Sequence, residues 1–350
     1  MAEVLAAVRP AHHFDQIGLL RWMETHVPGF DGPLTVEQFA GGQSNPTYRL
    51  RTLGRDYVLR RKPPGILLKG AHAVDREYRV ISALHATGFP VPRPFGLCLD
   101  ESVIGTAFYI MEMVEGRNFW DTAFPEVSRE ARPAYFDAMN ATIAQLHSID
   151  PATIGLEDFG RPGNYFERQV GRWSRQYLED ADAGRVPAMD ALIEWLPANI
   201  PAGDEVSIVH GDFRCDNMLF HPTEPRVIAV LDWELSTLGH PLADFAYHLM
   251  VYRMPPGFST GLAGLDLPAL NVPSEAQYIA GYCRRTGRDD IERLDFHLAF
   301  SLFRLAAIIH GIKGRMIRGT ASSPQAAAAV EQLERIAKLA LAQTQETFGA

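Results

Sequence analysis

Two stretches of this sequence carry residue types that could do chemistry together. IVHGDFRCDNMLF, residues 208–220, contains His210, Asp212 and Asn217 in the spacing H-x-D-x-x-x-x-N. VIAVLDWE, residues 227–234, runs an apolar segment into Asp232, fifteen residues beyond Asn217. Moving a phosphoryl group from a nucleotide to a hydroxyl needs such a set. One carboxylate accepts or orients the hydroxyl proton, while an amide oxygen and a second carboxylate hold Mg²⁺ against the phosphates. Asp and Asn also cap ordinary turns. The apolar strand that ends in Asp232, and the signals upstream, favour the chemistry.

Those upstream signals are weaker one by one. FAGGQSNPTYRL, residues 39–50, is a small-residue turn between two strands, and Gly41, Gly42, Ser44 and Asn45 would line it. Such a turn lets backbone N–H groups approach anionic oxygens, although alone it reads as an ordinary hairpin. Arg60 ends the strand DYVLR, and Glu77 lies in the helical segment AVDREYRVI. A cation fixed by a helix glutamate suits nucleotide phosphates, whereas in isolation both would be surface charges. Their order along the chain lifts them above that.

Glycine turn, strand cation, helix glutamate, HGDFRCDN and LDWE, over about residues 30 to 250, together resemble the aminoglycoside phosphotransferase-like (choline-kinase-like) branch of the protein-kinase fold. The resemblance implies an α+β, bilobal architecture, a small antiparallel β lobe followed by a larger, mainly helical one. It implies Asp212 as the catalytic base, Asn217 and Asp232 as magnesium ligands, and Arg60, partnered by Glu77, on the phosphates of ATP. Glu112 to Val114 would offer backbone hydrogen bonds to adenine with Met111 at the back of the pocket, and Asp244 in PLADFAYHL would anchor the catalytic loop. The strand cation departs from the lysine of protein kinases, since an arginine holds phosphate by a planar fork and not as a point charge. YVLRRKPPG, NYFERQVGRWSRQY and IEWLPANIP further resemble the subgroup that is fused to acyl-CoA dehydrogenases in higher organisms and free-standing in bacteria. That likeness implies a hydroxylated acyl-CoA as acceptor. The alternatives are an aminoglycoside or choline-type kinase, and a catalytically silent binding module of the same fold; the intact Asp212, Asn217 and Asp232 speak for an enzyme.

The elements that must position these residues are legible as well. Residues 34–62 alternate apolar and polar side chains and predict three strands. AHAVDREYRVISALHATG predicts a helix with Val74, Tyr78, Ile81 and Leu84 on its apolar face, stopping at Gly88, and PVPRPFGLCLD and TAFYIMEMVEG predict two more strands. After Gly116 helical patterns dominate, at about 128–148, 163–182, 187–199, 241–251, 273–286, 290–318 and 323–346. The expected division is a nucleotide-binding lobe over 1–114, a hinge at about 112–116 and a catalytic lobe over 115–350.

Composition narrows the function classes. With 47% hydrophobic and 21% charged residues, a 350-residue chain can bury a sizeable core, and a net charge of −9 argues against general nucleic-acid binding. Cys98, Cys215 and Cys283 are too scattered for a disulfide framework or zinc site, and a reducing cytoplasm is expected. The N-terminus has no apolar signal-peptide core, and LAFSLFRLAAIIHGIKG is expected to be too short and too charged to span a bilayer. The segment GFSTG matches a hydrolase elbow, but it lacks the flanking strand and helix that motif needs. Within this acidic chain, residues 296–330 contain no Asp or Glu, and NYFERQVGRWSRQY opposes three arginines with one glutamate. Arg168, Arg172, Arg315 and Arg318 are therefore expected to favour an anionic small-molecule acceptor.

Overall fold

The computed structural model describes residues 5–39, 45–65, 72–161, 163–257, 261–320 and 326–345. In chain order the first half contains β1 (Leu5–Ala6), α1 (Gln16–His26), β2 (Thr35–Phe39), β3 (Thr47–Arg51), β4 (Tyr57–Arg61), α2 (Val74–Ala86), β5 (Pro94–Cys98), β6 (Phe108–Glu112), α3 (Arg132–Ser148) and α4 (Tyr165–Glu179). There follow α5 (Pro187–Ala198), β7 (Ser207–Val209), β8 (Met218–Phe220), β9 (Val227–Val230), β10 (Thr237–Gly239), α6 (Pro241–Leu249), α7 (Leu267–Leu270), α8 (Glu275–Thr286), α9 (Leu294–Ile317), α10 (Ala326–Glu331) and α11 (Leu333–Gln343). The chain forms two compact units. One comprises Met1–Trp120, Ala152–Leu156 and Asp216–Ser236; the other comprises Asp121–Pro151, Glu157–Cys215 and Thr237–Ala350.

In the first unit six antiparallel strands lie in the order β1-β2-β3-β4-β6-β5. The central strand β4 is buried at every position, so its two faces take alternate residues. Tyr57 and Leu59 enter the core that also takes Leu19 and Met23 of α1, Tyr48, Leu50, Phe108 and Ile110. Arg61 shares that parity, and its guanidinium lies 5.2 Å from the Phe14 ring and 5.8 Å from the Tyr48 ring, held by cation–π attraction. Arg60 has the opposite parity and reaches α2. The expected apolar stripe of that helix is rotated. Val74, Glu77, Val80, Ile81 and Leu84 are the buried positions, whereas Tyr78 is half-buried. Helix α1 lies outside the elements expected from the sequence. Its signals are Asp15, whose carboxylate accepts from the N–H groups of Ile17 and Gly18, and the buried pair Leu19 and Met23.

The second unit is helical around α9, whose 24 residues pack against α4, α5, α6, α10 and α11. The apolar run is longer than its sequence suggested. By length and composition α9 could cross a membrane, but 72% of its most apolar window is buried within the protein, as a core helix requires. Strands β7 and β10 pair antiparallel and lead into α6, which is buried at every position. All three cysteines are free thiols and buried. Of GFSTG, only Gly257 and Gly261 fall among the described residues.

Candidate active site

In the first unit, the alternation of β4 and the rotation of α2 bring Arg60 and Glu77 together. Arg60 Nε lies 2.7 Å from Glu77 Oε2, an ion pair whose N–H points off the hydrogen-bond line. The other Glu77 oxygen accepts from Asn45 Nδ2 at 2.8 Å, and Tyr109 Oη donates to Oε2 at 3.1 Å. Burial pushes the Glu77 carboxyl above the usual range, with Arg60 pulling the other way. Burial also acts against the Arg60 charge, but Glu77, Tyr109, Asp232 and Glu234 together hold it above its ordinary value.

Strands β8 and β9 form a hairpin in which Met218 pairs with Val230. Asn217 and Leu231 continue that pairing, since the Leu231 N–H donates to the Asn217 carbonyl at 2.8 Å. Asp232 therefore follows directly on the partner of Asn217. The strand ends two residues earlier than its apolar pattern suggested, and Asp232 stands beyond it with φ +64, a left-handed conformation that Asp tolerates better than most residues. Asp232 Oδ1 accepts from Arg60 Nη2 at 2.6 Å, while Glu234 Oε2 is 3.6 Å from the same nitrogen. The Asp232 side chain remains 39% exposed. Among the described residues no three His, Cys, Asp or Glu side chains gather into a metal cage. Magnesium does not need one, because it binds through one or two protein oxygens and keeps several waters. The hard oxygens of Asn217 and Asp232 fit that habit.

Of the other nucleotide candidates, Met111 is buried in β6, and Glu112 is exposed at the end of that strand. The Glu112 N–H already donates to the Arg93 carbonyl at 2.8 Å. Val114 is half-buried in the irregular stretch that follows. Among the described residues the main chain of Met113 and Val114 has no hydrogen-bond partner within the main chain. Gly41, Gly42 and Ser44 lie outside the described residues.

In the second unit, Asp212 follows Gly211, whose φ of +84 turns the chain sharply after β7. One carboxylate fixes that turn. Asp244, in the first turn of α6, accepts from His210 N–H at 2.7 Å and Gly211 N–H at 2.9 Å. His147 Nε2 lies 3.4 Å from the same group and its Nδ1 bonds Tyr282, so His147 serves this buried carboxylate. Burial alone would raise Asp244, but His147 and His210 bring it below the usual carboxylate range. His210 is structural, its Nδ1 accepting the Asp212 N–H at 3.2 Å. Asp212 Oδ1 accepts from Tyr247 Oη at 2.8 Å and lies 3.3 Å from Arg214 Nε. Sequence reasoning missed Tyr247 and counted Arg304 only among the basic residues of 296–330, whereas it donates from Nη2 to the Gly211 carbonyl at 2.7 Å. Tyr247 carried one available signal, its place three residues after Asp244 on α6.

The four basic candidates meet different fates. Arg168 donates to the Arg161 carbonyl, and Arg172 lies over the Trp173 ring. Both are on α4, whose neighbour α9 carries the exposed Arg315 in its last turn. Arg318 spends its guanidinium on Asp180, at 2.6 Å, and on Asp182, at 3.0 Å.

A family model described as "Phosphotransferase enzyme family" matches residues 35–297. The chain is 47% identical over 325 residues to acyl-CoA dehydrogenase family member 11 of Gallus gallus, covering 90% of this chain and 42% of that protein. It thus spans less than half the length of this relative. A crystal structure from Ralstonia eutropha, described as a candidate aminoglycoside phosphotransferase, is 52% identical with a TM-score of 0.88, covering 95% of this chain and 99% of that one. Spectinomycin phosphotransferase, solved with ADP and spectinomycin, shares the fold at 12% identity with a TM-score of 0.64, covering 97% of this chain and 100% of that one.

Proposed function

The chain belongs to the phosphotransferase enzyme family, and we propose that it is an ATP- and Mg²⁺-dependent small-molecule kinase that transfers the γ-phosphoryl group to a hydroxyl. In this reading residues 1–114 form the nucleotide-binding lobe, 112–116 the hinge and 115–350 the catalytic lobe. Asp212 accepts the hydroxyl proton. Asn217 and Asp232 hold the magnesium, which neutralises charge on the phosphates when bound. Arg60, kept in place by Glu77, reaches the phosphates, and the Gly41–Asn45 turn covers them. Adenine takes the main-chain groups of Glu112 to Val114, with Met111 behind it. A neighbour of the same fold was solved with ADP, which supports nucleotide binding here.

The observation that carries the reading is the meeting of a buried, glutamate-backed Arg60 with Asp232, next to the hydrogen-bonded partner of Asn217. A cation beside a carboxylate, with Asn217 just before the adjoining strand, suits a magnesium-bound polyphosphate. The acceptor we favour is a hydroxylated acyl-CoA or a similar anionic alcohol. Support comes from the acyl-CoA dehydrogenase relatives and from Arg168, Arg172 and Arg315, since a pocket for a polycationic aminoglycoside should instead present carboxylates. Arg318, already paired, adds little. The cytoplasm, a reducing compartment, suits three free thiols.

Mg·ATP should raise the melting temperature, because a ligand at one hundred times its Kd adds about 2.7 kcal/mol. Asp232→Ala should abolish the magnesium-dependent part of that rise, and equal stabilisation of both proteins would sink the metal assignment. ATP consumption with 3-hydroxybutyryl-CoA, kanamycin and choline side by side then separates the acceptors. Efficient use of kanamycin alone would overturn the anionic-acceptor reading.

A further inference from the structure

Helix α6 touches three consecutive residues of the candidate catalytic loop with one face. Asp244 takes the N–H groups of His210 and Gly211, and Tyr247, one helical turn on, reaches Asp212. Tyr247 is buried, and its ring lies 5.0 Å beneath the Arg304 guanidinium. Arg304 projects from the core helix α9, is 9% exposed, and also holds the Gly211 carbonyl. Among the described residues no carboxylate pairs with Arg304. A buried guanidinium is costly unless its donors and its charge are met. Here a carbonyl takes one of its N–H groups and an aromatic face lies against its charge, and both belong to the scaffold around Asp212.

We infer that Tyr247 and Arg304 are positioning residues for Asp212: the tyrosine hydroxyl fixes the carboxylate rotamer, and the arginine clamps the tyrosine ring and the Gly211 carbonyl against α9. The inference rests on Asp212 acting as the base. Burial, then the Asp212 charge, push the Tyr247 hydroxyl well above its ordinary value, so it remains a proton donor at any working pH. Charged or titratable groups that also face this carboxylate include Arg214 on the loop itself and His210, whose ring accepts the Asp212 N–H. Arg214 is partly exposed and approaches the same oxygen at 3.3 Å, so the shorter, buried tyrosine contact sets the rotamer.

The test is a double-mutant cycle on the full chain with Tyr247→Phe, Asp212→Asn and the pair. Turnover is read as transfer from Mg·ATP to water, which needs no acceptor, and to 3-hydroxybutyryl-CoA, kanamycin and choline. Tyr247→Phe should lower kcat by about ten- to a hundred-fold, the scale of a misplaced catalytic group, with KM for ATP unmoved. The double variant should be no slower than Asp212→Asn alone, because a residue acting through another has nothing left to position. Arg304→Lys keeps the charge but loses the fork, and should lower kcat with the same split. An unchanged kcat in Tyr247→Phe, or losses that multiply in the double variant, would overturn the inference while leaving Asp212 as base. A wild type without turnover in every arm, or an Asp212→Asn protein as fast as wild type, would remove the base itself and this inference with it.

Discussion

Arg60 shows how much one side chain's surroundings decide. It is 9% exposed and meets three carboxylates, Glu77, Asp232 and Glu234, of which only Glu77 is fully buried with it. Removing the guanidinium strands Glu77 in the protein interior with, among the described residues, Asn45 and Tyr109 as donors. Arg60→Met should therefore destabilise the protein by about 3 kcal/mol, the lower end for breaking a buried pair. Arg60→Lys, which keeps a cation there, should cost distinctly less. Urea unfolding of both variants checks this, and equal losses would show that the fork and not the charge matters. At this scale Asp212, Asn217, Asp232, Arg60 and Glu77 were legible because their types and spacing are chemical in themselves. Tyr247 and Arg304 were not. They stand 35 residues beyond Asp212 and 93 beyond Gly211, inside helices whose apolar periodicity reads as core.

Elements explain why those side chains sit where they do. The strands were legible from alternation and the helices after Gly116 from their period, since both patterns report one buried face. The rotation of α2 was not, because a glutamate on the buried face is charged in the sequence and paired only in three dimensions. The capture of a loop by α6 was legible only through the family resemblance, which put Asp244 there as the anchor, because the two backbone N–H groups it takes carry no sequence signature of their own. Asp244→Ala should leave both of these donors buried without an acceptor, at about 1–3 kcal/mol each. The midpoint of urea unfolding should fall accordingly, and a variant as stable as wild type would mean that the loop is held by other contacts.

The whole molecule carries a set of buried histidines that no local pattern announces. Burial pulls His240 and His248 down to about 4 and His297 to about 3. Above the unfolded value of about 6.5 both folded and unfolded chains hold these rings neutral, and the shift has no effect on stability. As pH falls below it, the unfolded chain takes up protons that the folded one refuses. Stability should drop by about 1.4 kcal/mol per pH unit for each ring until the folded values are reached. Three rings together approach the total stability of an ordinary domain within two pH units. Urea midpoints should thus be level from pH 8 to 7 and fall steeply between 6.5 and 4. A midpoint unchanged at pH 5 would mean that these rings gain their protons without unfolding.

The sequestration of Cys98, Cys215 and Cys283 has a practical consequence. A maleimide or disulfide reagent meets no native thiol at the surface, and burial also raises Cys98 and Cys283 above their ordinary values, which starves them of the reactive thiolate. The wild-type chain is therefore its own labelling background. A single cysteine introduced as Leu53→Cys, at a position 79% exposed in the turn between β3 and β4, would take a fluorophore stoichiometrically with all three native cysteines left in place. A second placed at the exposed Ile317 gives the other unit its own handle, so spectroscopic rulers can be installed on the unaltered core.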